Sequence, residues 1–119
     1  MVLKEKGEDH MIKNAGSIEE KLEGRTLTVI LRGEIDHHNA LRLRTSIDKL
    51  ITEKQPLKLV LELGSIDFMD SSGLGLIMGR YRKIQELGGE LVIRNPNEAV
   101  LKICRLAGLG RLVKIEAKA

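Results

Sequence analysis

Between Leu57 and Ile84 the apolar residues change their period. Leu57, Leu59, Leu61 and Leu63 alternate with Lys58, Val60 and Glu62, which is the two-residue repeat of a strand. From Leu74 onward the repeat becomes helical, with Leu74, Ile77, Tyr81 and Ile84 predicted to share one buried stripe. Between the two periods lies the run Phe68-Met69-Asp70-Ser71-Ser72-Gly73-Leu74-Gly75. A strand that feeds a helix through so short a turn restricts the chain to folds in which helices pack on a sheet. It also sets two hydroxyls and a carboxylate at a helix N-terminus. Amides there lack intrahelical acceptors and the helix dipole favours negative charge.

The same alternation of periods recurs along the chain. Ser17 to Glu23 and the β-branched run Thr26 to Arg32 form a hairpin around Glu23-Gly24-Arg25. Gly33 to His38 reads as a loop. A helix follows from Asn39 to Ile51, with Ala40, Leu43, Ile47 and Leu50 inward, Arg42, Arg44, Asp48 and Lys49 outward, and Asp36 or Asn39 as cap. Gly64 to Met69 is expected to lead from the leucine strand to the serine turn. The next helix spans Ser72 to Leu87, ends at Gly88-Gly89, and uses Gly75 and Gly79 for close packing. Leu91 to Ile93 is a short strand. Asn95 is expected to cap a last helix whose apolar side is Val100, Leu101, Cys104 and Leu106, and Leu112 to Ile115 closes the chain as strand or turn. The predicted fold is α/β: a mixed β-sheet packed by α-helices in the order ββαβαβαβ. Residues 1–16, mixed in charge, are expected to be a loose leader before one domain over 17–119.

Composition narrows the function. Aromatics are limited to Phe68 and Tyr81, so the core must be aliphatic. A single cysteine, Cys104, excludes an internal disulfide framework and suits a reducing, cytoplasmic compartment. The longest uncharged run, Ser71 to Gly79, is far too short to span a bilayer, so no membrane role is expected. The net charge of +3 comes from cations interleaved with acids and lacks an aromatic platform, which argues against direct nucleic-acid binding.

Ser71 and Ser72 can be caps, a nucleophile or a phosphate acceptor. A hydrolase needs a base and an oxyanion hole, and His37 or His38 beside Asp36 could supply the former. The nucleophile-elbow pattern fails, however, because Met69 stands where glycine is required. Gly73-x-Gly75 is a weak imitation of a dinucleotide loop, and no acid ends the following strand. His37-His38 lacks a second ligand cluster, so no metal and no cofactor are expected. Arg80, Arg82 and Lys83 read as a solvated helix face. One of the two serines is expected to cap the helix; the functional reading is phosphate acceptance, since a helix N-terminus tolerates the added charge while a docked partner would feel it.

Two stretches then combine. Gly33-Glu34-Ile35-Asp36-His37-His38-Asn39-Ala40 and Ile66-Asp67-Phe68-Met69-Asp70-Ser71-Ser72-Gly73-Leu74-Gly75 resemble the STAS domains of bacterial anti-sigma-factor antagonists, above all the sporulation members. Gly79-Arg80-Tyr81 and Gly88-Gly89 extend the resemblance, which covers roughly Ser17 to Glu116. It implies a non-enzymatic protein that binds an anti-sigma factor serine kinase carrying its own ATP or ADP and Mg²⁺, and so frees a sigma factor. It implies that the kinase phosphorylates Ser71, that phosphorylation ends binding, and that a serine phosphatase resets the cycle. The partner-binding positions it implies are Glu34, Asp36, His37, Asp70, Ser72, Gly73, Leu74 and Gly75. A STAS scaffold or regulatory subunit of a stress-signalling or lipid-transport complex is the alternative. The positive net charge departs from many relatives.

Overall fold

The computed structural model describes residues 17–117. The elements are β1 (Ser17–Glu23), β2 (Thr26–Ile35), α1 (Ala40–Lys54), β3 (Lys58–Met69), α2 (Ser71–Glu86), β4 (Glu90–Arg94), α3 (Glu98–Leu106), a 3₁₀ turn (Leu109–Arg111) and β5 (Lys114–Glu116). The expected order ββαβαβαβ is therefore present, and the sheet is mixed. Its five strands lie in chain order, with β1 antiparallel to β2 and all later neighbours parallel. The leader over residues 1–16 lies outside the described residues.

Register explains the core. Leu27, Leu59 and Leu91 are aligned across three strands, as are Val29, Leu61 and Ile93, so their side chains share one face. That face joins Leu43, Ile47 and Ile51 of α1, Leu76, Ile77 and Ile84 of α2, and Val100 and Cys104 of α3 in one aliphatic cluster. Val60 and Val92 point to the opposite face and are buried too, as central parallel strands commonly are.

Several local expectations are revised. β2 does not stop at Arg32: it continues to Ile35 through register shifts around Leu31 and Gly33, so the loop is shorter than Gly33 to His38. β3 likewise runs through Gly64 to Met69. Asn97, not Asn95, caps α3, its side chain accepting from the Val100 amide at 2.8 Å. Asn95 instead takes a left-handed φ of 57° and donates to Glu62. Leu106 is 79% exposed rather than inward, while Leu74 and Tyr81 are only half-buried. A Cβ at Gly75 or Gly79 would meet nothing within 4 Å, so neither glycine serves helix packing.

The largest correction concerns Arg80. It is 4% exposed and faces α1, where its Nε lies 2.9 Å from Asp48 Oδ1. The contact is close but not aligned as a hydrogen bond, and Nη1 has no hydrogen-bonding partner. Burial pulls the guanidinium below its ordinary pKa, Asp48 opposes that pull, and Arg44 reinforces it. Arg80 is therefore an interhelical charge pair and no part of a solvated face.

Candidate functional site

β2 and β3 are parallel neighbours, with Glu34 opposite Phe68 and Ile35 opposite Met69. Their carboxyl ends therefore deliver two turns side by side, one opening α1 and the other opening α2. This is the end of a parallel sheet at which ligands and partners commonly bind. The Asp70 amide ties the turns together by donating to Ile35 O at 3.1 Å.

The first turn is built by Asp36 and Asn39. Asp36 Oδ1 accepts from the amides of His38 and Asn39 at 3.0 and 3.1 Å. Asn39 returns the bond, its Oδ1 accepting from the Asp36 amide at 3.0 Å and its Nδ2 donating to Glu34 O at 2.7 Å. Asn39 is the N-cap residue of α1 by position, but its side chain is spent on the turn and does not cap the helix. The result is a rigid loop that presents the His37 and His38 side chains to solvent.

Asp70 organises the second turn. Its Oδ1 accepts from the Ser72 amide at 2.8 Å, which caps α2. Its Oδ2 faces the His37 amide at 3.3 Å and His37 Nδ1 at 3.9 Å. One carboxylate thus holds both turns in place. Ser71, the first residue of α2, is exposed, while Ser72 is half-buried beneath the cap. Among the described residues no hydrogen bond joins an imidazole to Ser71.

The structure brings Glu34, Asp36, His37, Asp70, Ser71, Ser72, Leu74 and Gly75 to this one end of the sheet. Gly73 is also there but buried, its Cα against Met69 and Ile35, so it is a packing position and presents no surface. Two neighbours escaped sequence reasoning. Phe68, at the end of β3, is 49% exposed. Leu41, in the first turn of α1, is 62% exposed and lines a groove of about 260 Å³ with Arg44, Ser72, Gly75 and Leu76. A large apolar side chain at the mouth of a charged turn was the available signal. Glu34, Asp36, Asp67 and Asp70 stand at or next to these strand ends, with Arg44 lining the groove beside Ser72. Among the described residues no cluster of histidine, cysteine and carboxylates has metal-site geometry, and no helix is long and apolar enough to cross a membrane.

The family model of the STAS domain matches residues 17–119. The chain belongs to the STAS domain family. An anti-sigma F factor antagonist of Paenibacillus polymyxa is 40% identical over 89 residues, 75% of this chain and 76% of the relative. Among solved structures, the anti-sigma factor antagonist SpoIIAA in its unphosphorylated form superposes with a TM-score of 0.74 at 29% identity, covering 86% of this chain and 90% of that one. SpoIIAA of Bacillus, solved in the phosphorylated form, gives a TM-score of 0.67 at 28% identity, covering 86% of this chain and 93% of that one. The STAS fold accounts for the five-stranded mixed sheet and its three helices.

Proposed function

We propose that this STAS domain is an anti-sigma factor antagonist switched by phosphorylation of Ser71. The unmodified chain docks its paired turns on an anti-sigma factor serine kinase and thereby frees a sigma factor. The γ-phosphoryl of the kinase's ATP then passes to Ser71 Oγ, the hydroxyl proton leaves to the kinase's base, and ADP remains. The new dianion stands beside Asp70 on a docked surface, and the kinase lets go. A serine phosphatase restores the hydroxyl.

The observation that carries this reading is the placement of Ser71. It is exposed, it opens a helix, and Asp70 and the 36–39 turn hold it in a fixed position. Chemistry on the chain's own account is not required: the kinase brings nucleotide, Mg²⁺ and base, and this chain brings a hydroxyl. The relatives' names and the phosphorylated SpoIIAA structure support the same reading. Glu34, Asp36, Leu74 and Gly75 would meet the partner, with the carboxylates governing rate and choice of partner more than affinity.

The test mixes the protein with the serine kinase anti-sigma factor of its own genome and ATP, then maps phosphate by mass spectrometry. Phosphate on Ser71 is expected. A kinase that binds well yet modifies another residue, or none, would overturn the assignment. Ser71→Ala should bind the ADP-loaded kinase and resist modification, whereas Ser71→Asp should bind at least tenfold more weakly.

A further inference from the structure

We infer that the His37 imidazolium is the counter-ion of the phosphate on Ser71, an internal partner that the unmodified chain holds ready. The inference rests on the assignment of Ser71 as the phosphorylated residue and adds what the modified residue touches.

A phosphate there adds roughly −1.5 to −2 charges at neutral pH. It arrives next to Asp70, on an end of the sheet already carrying Glu34, Asp36 and Asp67. The helix N-terminus is the usual remedy for such a charge. Here much of that capacity is already committed. The Ser72 amide donates to Asp70 Oδ1 at 2.8 Å and the Gly73 amide to Asp70 O at 2.9 Å. Of the first three amides of α2, those two already have acceptors, which leaves a side-chain cation room to contribute.

His37 is placed for it. Its Nδ1 lies 3.9 Å from Asp70 Oδ2, so the ring sits beside the residue that precedes Ser71. Its backbone is held by the amide contact to the same carboxylate, while its side chain is 72% exposed. The groups facing the ring are Asp70, from the turn before α2, and the His38 ring, at a centroid distance of 3.9 Å and tilted by 38°. Asp36 is its chain neighbour, with Oδ1 committed to the His38 and Asn39 amides. The other cation beside this turn is Arg44, which lines the groove with Ser72 on the side of α1. Phosphorylation adds a dianion to the Asp70 carboxylate that already faces the ring, so the ring gains affinity for a proton. The phosphate in turn loses its second proton more readily beside an imidazolium. The charge felt by a docked partner therefore depends on pH near neutrality, and the modified chain is most repulsive where His37 is neutral.

The experiment uses the full chain with phosphoserine installed at position 71 during synthesis, so no kinase is needed. The His37 ring signal is titrated by proton NMR and the phosphate by phosphorus NMR. The His37 midpoint is expected to rise by on the order of one pH unit relative to the unmodified chain. His37→Gln, a change at an exposed side chain, should raise the phosphate midpoint by about half a unit, toward that of a phosphoserine peptide. Arg44 lines the groove with Ser72, so Arg44→Gln is titrated in parallel, and a phosphate midpoint that moves with Arg44→Gln but not with His37→Gln would overturn the choice of His37. A His37 midpoint that moves by less than about 0.2 unit, or a phosphate midpoint indifferent to His37→Gln, would sink the inference. Either failure leaves the kinase reading standing, and a kinase that ignores Ser71 would not alter these titrations.

Discussion

Gly73 and Gly75 lie two residues apart in α2 and have opposite surroundings. A Cβ at position 73 would overlap Met69 Cγ and Sδ and press on Ile35, all beneath the first turn of the helix. Gly73→Ala should therefore cost about 1–2 kcal/mol in urea unfolding, the overpacking penalty less the helix preference of alanine. A Cβ at position 75 meets nothing. Gly75→Ala should stabilise the isolated domain by up to about 1 kcal/mol. If the turn docks on a kinase, the same methyl stands in the interface, and binding should weaken while the unfolding midpoint rises. Loss of stability in Gly75→Ala, or unchanged binding, would contradict that account. Nothing in the sequence separates these two glycines, because the atom that decides between them belongs to Met69, brought under the helix by the end of β3.

At the scale of elements, α1 and α2 are joined by apolar contacts and the buried Asp48–Arg80 charge pair. Removing Asp48 leaves Arg80 desolvated and still repelled by Arg44, also positive. Asp48→Asn should cost about 2–3 kcal/mol, toward the low end of a broken buried pair because the Asp48 side chain is 26% exposed. Arg80→Met removes the charge that needs a partner and should stay within about 1 kcal/mol of the parent. The check is a double-mutant cycle by thermal or urea unfolding. Equal costs for the two single changes would mean that desolvation of Arg80 is not the governing quantity. The order of elements was legible from the change of period, because strand and helix repeats are local. The pair was not. Arg80 falls on the same stripe as Gly73, Ile77 and Ile84, but a charge flanked by Arg82 and Lys83 reads as solvent-facing until Asp48 arrives from another helix. Strand ends failed for a related reason: Gly33 and Gly64 look like breaks, yet pairing with the neighbouring strand carries β2 and β3 past them.

At the scale of the whole molecule, the site depends on a single aliphatic cluster running from β2 to Val113 at the edge of β5. The Asp70-Ser71-Ser72 turn was readable in advance because its residues are contiguous. Its partner turn was readable only as a motif, since the parallel register of β2 and β3 is what sets Ile35 beside Met69. Whether that cluster opens as one unit can be read from Cys104, the chain's one cysteine. It is fully buried on α3, and burial pushes its thiol above the ordinary range. Only the thiolate reacts, so the folded chain is protected twice, by access and by ionisation. With a stability of about 5 kcal/mol or more, global opening exposes fewer than about one molecule in a thousand at any instant. Labelling by a disulfide reagent at pH 8 should therefore run at least about a thousandfold slower in native buffer than in denaturing urea. Modest urea should accelerate it with the same denaturant dependence as global unfolding. Labelling at the rate of a free thiol, or a rate blind to urea, would show α3 detaching alone while the paired turns over β2 and β3 stay assembled.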